Sequence, residues 1–329
     1  MPDQRKTVLI TGCSPGGIGN SFAREFHAKG LRVFATARSR SVLADLEALG
    51  IETLDLEVDN EESVTKARRE VERLTGGGLD VLVNNAGRNY TVPAMEAQQD
   101  EILKTFEVNL FAVVRMCQEF APLLIKSKGT IVQLGSLAGT MPFVFGSIYN
   151  ASKAALHSFS DSLRLELEPF DVQVLTIITG GVRSRITRTE RFLIDDSLYA
   201  PIQEHYDRRV KFSQEGAMPN EAYAASVVGS VLKEISRHER RRKWSTWLFG
   251  SSTITSGLGF YWRQTRAWIW EGNGAWKVWF AHRFAPKWVL DYFMYRKFGL
   301  NLLRADVEKK ASLSGREKAA STTEAKKDE

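Results

Sequence analysis

The chain has 329 residues, 43% of them hydrophobic, which suits one α/β domain of roughly 250 residues with additions and excludes a small scaffold that needs staples. Two cysteines, Cys13 and Cys117, exclude a disulfide framework and point to a reducing compartment. The formal charge of +6 is unevenly placed: residues 1–236 carry 26 Lys+Arg against 30 Asp+Glu, residues 237–304 carry 13 against 3, and residues 305–329 carry six of each, so the chain is not a uniformly basic nucleic-acid binder.

The first residues are polar and lead straight into TVLITG (7–12), a short apolar run that reads as a buried strand, so no secretory leader is expected. Helical spacing follows over 18–29, with Gly30 as its stop. LRVFATAR (31–38) is a second buried strand, 40–48 is helical in character, and IETLDLE (51–57) is a third strand. Residues 60–74 read as a helix capped by Asn60 or Asp59 and broken by Gly76, Gly77 and Gly78. LDVLVNNAG (79–87) is a fourth strand running into a loop. A long helix with a bend near Pro122 is predicted for 98–127. Then come GTIVQLGS (129–136) as a fifth strand, 148–167 as a long helix and VQVLTIITGG (172–181) as a sixth strand. Continuous apolar strands alternating with helices predict a parallel sheet covered on both faces, that is, a Rossmann-type doubly wound α/β fold. Residues 220–236 read as a helix, 275–298 as two short amphipathic helices around Pro286 with Gly299 as a stop, and 305–329 as a disordered charged tail.

Four motifs along this frame carry chemistry. TGCSPGGIG (11–19), between the first strand and the first helix, lets the backbone turn tightly and offers helix N–H groups to a pyrophosphate. Arg38 ends the second strand, where an acidic residue would bind the 2′-hydroxyl of NAD; with Ser39 and Arg40 nearby it offers a planar cation for the 2′-phosphate of NADP. NNAG (84–87) places small and amide residues at the end of the fourth strand, either lining a cofactor crevice or forming a plain turn. Ser136 follows the fifth strand, and Tyr149 and Lys153 stand one helical turn apart on one face. A phenol with a pKa of about 10 needs a neighbouring cation to shuttle protons near neutrality, and Lys153 supplies that field. Ser136 offers a hydrogen bond to a substrate carbonyl, and Asn109 is positioned to hold a water behind Lys153.

In this order the motifs resemble the short-chain dehydrogenase/reductase family over about residues 5–235. The resemblance implies an Asn109–Ser136–Tyr149–Lys153 tetrad, with Tyr149 and Lys153 also touching the cofactor. It implies a glycine turn at Gly12, Gly17 and Gly19 with Ser14 and Ile18, and an adenine step at Glu57–Val58. It further implies a crevice wall at Asn85, Ala86 and Gly87 and a nicotinamide-side loop from Thr179 to Ser184 that includes Val182. The glycine turn is one residue longer than usual, Glu57 replaces the usual Asp, Thr179-Gly180 replaces Pro-Gly, and Ser184 replaces Thr. The long turn, the ITGGV run (178–182), AMPNEAYAASVV (217–228) and the aromatic end at RKFGL (296–300) are similar to a fungal subgroup of NADPH-dependent 1-acyldihydroxyacetone-phosphate reductases. That resemblance implies reduction of a lipid-like ketone at the cytoplasmic face of the endoplasmic reticulum or a lipid droplet. The alternative is a cytoplasmic ketoreductase or alcohol dehydrogenase of fungal secondary metabolism. A homo-oligomer paired through the helices bearing Asn109 and Tyr149 is expected on the same ground, and no metal.

All eight tryptophans lie between Trp244 and Trp288, so aromatic content and positive charge rise together after residue 236. The uncharged stretch 244–262 has the length of a membrane span, but ten of its 19 residues are Ser, Thr or Gly, which favours a covering or interfacial loop. Trp276, Trp279, Phe280, Arg283 and Phe284 recur at helical spacing, as do Trp288, Val289, Tyr292 and Phe293. Two readings stand: a peripheral membrane contact through 244–298, or packing on the domain or on a second copy. The basic run 237–243 comes with no nucleic-acid fold, so no nucleic acid is expected. The residues shaping a substrate pocket are expected in 140–148 and 184–219.

Overall fold

Six apolar runs become six parallel strands in the computed structural model, which describes residues 4–187, 191–249 and 267–325. They are β1 (Thr7–Ile10), β2 (Arg32–Ala37), β3 (Glu52–Asp55), β4 (Val81–Asn84), β5 (Thr130–Leu134) and β6 (Gln173–Thr179). Five of them are buried along most of their length because helices cover both faces, whereas β3, at the sheet edge, buries only Thr53. A seventh strand, β7 (Trp268–Glu271), pairs in parallel with β6, and the sheet order is β3-β2-β1-β4-β5-β6-β7. The order reverses between β1 and β4, and the crevice outside the strand ends there is where such sheets bind ligands.

The covering helices are α1 (Ile18–Ala28), the short α2 (Ala44–Glu47), α3 (Glu61–Thr75), α4 (Gln99–Phe106), α5 (Ala112–Ser127), α6 (Ser147–Glu166), α7 (Gln203–Lys211) and α8 (Asn220–Phe249). One face of the sheet packs Phe22 and Phe26 of α1 and Tyr223, Val227 and Val231 of α8; the other packs Val64 and Val71 of α3 and Met116, Phe120 and Leu124 of α5. The helix predicted over 98–127 is interrupted at Glu107–Phe111 by a π turn, while α5 runs through Pro122. The wider turn sits at Asn109, and such bulges occur frequently at functional sites. Residues 99–127 are the one helical stretch among the described residues long and apolar enough to cross a membrane; here they pack on the sheet as α4 and α5.

The C-terminal region differs from the sequence expectation in three ways. The division at residue 236 falls inside α8, which continues to Phe249. The segment beyond it supplies β7, then α9 (Ala275–Phe284) and α10 (Lys287–Lys297), which bury Ala275, Val278 and Met294 with Phe298 against Leu137, Met141 and Ile178. It therefore completes the sheet and walls the region after β5, and two of the eight tryptophans, Trp268 and Trp270, belong to that strand. Finally, residues 300–325 form α11 instead of a disordered tail. Its Ala, Lys and Glu favour helix, Arg304–Glu308 and Asp306–Lys310 pair one turn apart, and Leu300 and Leu303 pack near Tyr206. Most of the uncharged 244–262 stretch lies outside the described residues, as do 326–329.

Candidate active site

The glycine turn opens at the C-terminal end of β1. Gly12 and Gly16 have φ of +73° and +72°, a left-handed conformation that glycine adopts without strain. A Cβ on Gly19 would lie 2.5 Å from the Gly12 carbonyl oxygen, so glycine there lets α1 close onto the turn. No side chain caps α1, and its first turn holds no acidic residue, which leaves its N–H groups open to an anion. Ser14 accepts the Gly17 N–H through its carbonyl at 3.1 Å, and Ile18 begins the helix. Asn85 belongs to this turn more than to the crevice: its amide nitrogen donates to the carbonyls of Thr11 (2.7 Å) and Gly12 (3.0 Å). The Thr11 hydroxyl in turn accepts from the backbone N–H groups of Asn85 and Ala86. Arg185 extends the positive wall, its Nε lying 3.3 Å from where a Cβ on Gly16 would sit.

Arg38 and Arg40 separate in the structure. Arg38 is exposed at the end of β2, whereas Arg40 pairs with Glu47 at 2.9 Å and its backbone N–H donates to Asp55. Of these two arginines, Arg38 is the one without an ion pair among the described residues. The Glu57–Val58 step lies after β3. Glu57 is held through its backbone N–H to Ser63, and the Val58 carbonyl accepts from Arg115 at 3.1 Å. Across the crevice, Val182 is buried and the Ser184 N–H donates to Gln214 at 3.0 Å.

The candidate catalytic residues gather between β5, the π turn and α6. Lys153 is only 5% exposed, and its ammonium donates to the Leu134 carbonyl at 2.8 Å. Burial pulls its pKa down to about 8. Tyr149 is half-buried on the first turn of α6, and both Ser136 and Arg209 lie near enough to act on its ionisation. Desolvation dominates and pushes the phenol above its ordinary value; Ser136 and the Arg209 charge oppose it more weakly. Ser136 accepts the Ala138 N–H on its oxygen at 3.1 Å. Asn109 is buried and works as a clamp. Its Nδ2 donates to Ser152 Oγ and to the Arg88 carbonyl, both at 3.0 Å, and its Oδ1 accepts the Arg88 N–H at 2.9 Å. A single lone pair of Oδ1 remains for a water, on the side where Gly87 leaves space beside Lys153.

Two residues escaped the sequence reading. His157, one turn beyond Lys153, accepts the Ser136 backbone N–H on Nε2 at 3.2 Å. Burial, assisted by Lys153, lowers its pKa to about 4, so the ring stays neutral and keeps that acceptor. A Cβ on Gly135 would lie 2.5 Å from Nε2, so the glycine after β5 makes room for the ring. The i, i+4, i+8 series Tyr149, Lys153, His157 was the available signal. The second is Arg209 of α7, which no spacing connects to the other residues.

A seven-stranded parallel sheet with an open glycine turn, and a partly buried Tyr149 and Ser136 beside a buried Lys153 and Asn109, defines an oxidoreductase of the Rossmann type. Residues 6–192 match the family model for short chain dehydrogenases, and the chain belongs to that family. The short-chain dehydrogenase srdE of Neurospora crassa is 37% identical over 305 residues, 92% of this chain and 95% of that protein. An NADPH-dependent 1-acyldihydroxyacetone phosphate reductase of Schizosaccharomyces pombe is 44% identical over 208 residues, 61% of this chain and 70% of that one. Among solved structures, a short-chain dehydrogenase from Streptomyces avermitilis has a TM-score of 0.64 at 23% identity, covering 95% of this chain and 98% of its own, a likeness of fold.

Proposed function

We propose that this protein reduces a ketone to a secondary alcohol with NADPH, on a hydrophobic or lipid-like substrate such as 1-acyldihydroxyacetone phosphate. The observation that carries the reading is the Tyr149 phenol, which desolvation holds above its ordinary pKa, set beside Ser136 and one helical turn before the buried Lys153. A phenol held in its acid form serves reduction, where the carbonyl oxygen must gain a proton. When bound, the nicotinamide dinucleotide supplies the hydride. Tyr149 gives its proton to the developing alkoxide, and Ser136 donates its hydroxyl hydrogen to the same oxygen. Lys153 returns a proton to Tyr149, and Asn109 holds the loop of Arg88 and α6 in the register that keeps this relay together. NADPH consumption across a panel of bulky ketones, with the products identified, tests the assignment; absence of any alcohol product would remove it.

The glycine turn suits a pyrophosphate, and Arg38 suits the 2′-phosphate beyond it. Arg38→Asp is expected to lower kcat/KM for NADPH by about tenfold or more and to raise it for NADH. An unchanged ratio of the two cofactors would show that Arg38 does not read the phosphate.

The same proposal puts the protein peripherally on a membrane or lipid-droplet surface. α9 and α10 bury one side against the domain, yet Trp276, Trp279, Phe280, Phe284, Trp288 and Phe293 are each between 45% and 66% exposed. Lys277, Arg283 and Lys287 lie among them, a pairing suited to anionic headgroups. Truncation at residue 236 would remove β7 and is a poor test. Replacing Trp276, Trp279 and Trp288 together by Ser in the full chain should abolish flotation with phosphatidylcholine–phosphatidylserine vesicles while ketone turnover in solution persists. Equal flotation of variant and wild type would refute the contact.

A further inference from the structure

Arg209 is buried at 7% exposure, and among the described residues no carboxylate pairs with it. Its Nε donates to the Val144 carbonyl at 2.8 Å, which fixes the plane of the guanidinium. The rings of Phe143 and Phe298 lie 5.3 and 5.6 Å from its central carbon. One terminal nitrogen lies 2.9 Å from where a Cβ on Gly146 would sit, so the glycine at the start of α6 leaves room for the fork. Gly146 caps the start of α6, three residues before Tyr149, so the fork opens beside the first turn that carries the tyrosine. The preceding residue, Phe145, holds a φ of +61°, a conformation unfavourable for a phenylalanine that tight packing against Tyr199 and Tyr206 maintains. Burial lowers the guanidinium pKa only to about 10, so it remains a cation at neutral pH. A buried cation with unused donors is costly unless something pairs with it.

We propose that Arg209 is the substrate-anion receptor of the active site, taking a phosphate or carboxylate carried close to the reacting carbonyl. The proposal rests on the ketone-reductase reading and narrows it to ketones with an acidic substituent. The guanidinium fork matches an oxyanion bidentately, and the flanking rings exclude water from the pair. Phe298 comes from the C-terminal region, so that region helps build the specificity pocket as well as the fold.

Two readouts test this. The first is equilibrium binding of 1-acylglycerol 3-phosphate and of its uncharged monoacylglycerol to wild type, Arg209→Gln and Arg209→Lys, which needs no turnover. The second is the ratio of kcat/KM for 1-acyldihydroxyacetone phosphate, a keto acid of equal chain length and neutral 1-acyldihydroxyacetone with NADPH. Arg209→Gln is expected to weaken binding of the phosphate compound by roughly 10- to 100-fold and to leave the neutral one nearly unchanged, with Arg209→Lys in between. The keto-acid arm separates carboxylate from phosphate recognition. Equal losses for charged and neutral ligands in both variants would mean that Arg209 is only a latch between α7 and the loop before α6, and would overturn the proposal; so would no loss at all. If neutral ketones are reduced without any preference for acidic ones, the anion receptor fails while the reductase stands. If no ketone is reduced, the reductase reading fails and the binding comparison still decides the role of Arg209.

Discussion

Tyr149→Phe is expected to cut ketone reduction by roughly 100- to 10,000-fold, the usual contribution of a positioned general acid, while NADPH affinity stays nearly unchanged. The substitution removes one oxygen from a ring that stays packed in α6. The Ser136 N–H remains held by His157 and the Ser136 hydroxyl by its turn, so the oxyanion donor survives. The loss should fall on kcat and kcat/KM together, since the proton is delivered in the transition state. Cofactor titration by nicotinamide fluorescence separates the two effects. Turnover within tenfold of wild type would mean that another group supplies the proton.

Lys153→Met should also abolish turnover, yet leave the fold as stable as before or more so. The lysine pKa falls from 10.5 to about 8 on folding, so the unfolded chain binds the extra proton more tightly. The sign follows: this burdens the native state fully below pH 8, and the burden fades as pH rises from about 8 to 10.5. At neutral pH the burden is on the order of 3 kcal/mol. Methionine fills a similar volume without a charge, although the Leu134 carbonyl loses its donor. Thermal melting at neutral pH should thus show an unchanged or higher midpoint in an inactive protein. A midpoint several degrees lower would show that the ammonium stabilises the fold and that its burial is not a functional expense. In the wild type, reduction should decline as pH rises through about 8, where Lys153 loses the proton it relays.

The sheet is legible because five of its first six strands are largely apolar runs closed by glycine, polar or charged residues, the edge strand β3 lies in an alternating run, and the period of the intervening helices is clear. The glycine turn and the Tyr149–Lys153 pair were legible because their function depends on local spacing. β7 was not: four residues with two tryptophans carry too little pattern, and pairing with β6 is a tertiary event. The helical tail was missed because composition that cannot build a core can still form a helix. The π turn left no trace in the 98–127 periodicity. Arg209 was invisible for a different reason. It comes to the loop before α6 only because α7, distant in sequence, is laid across that loop at Val144, and a buried arginine looks like a surface one until its neighbours are known.

The most direct measurement uses NADPH deuterated at the transferring nicotinamide carbon, with a bulky ketone and mass analysis of the alcohol. One deuterium should appear on the carbinol carbon for each NADPH oxidised in the wild type, and none should accumulate with Tyr149→Phe over the same time. NADPH that binds but transfers no label to any ketone, or equal label transfer by the variant, would contradict the assignment of Tyr149 and its neighbours as a ketone-reducing site.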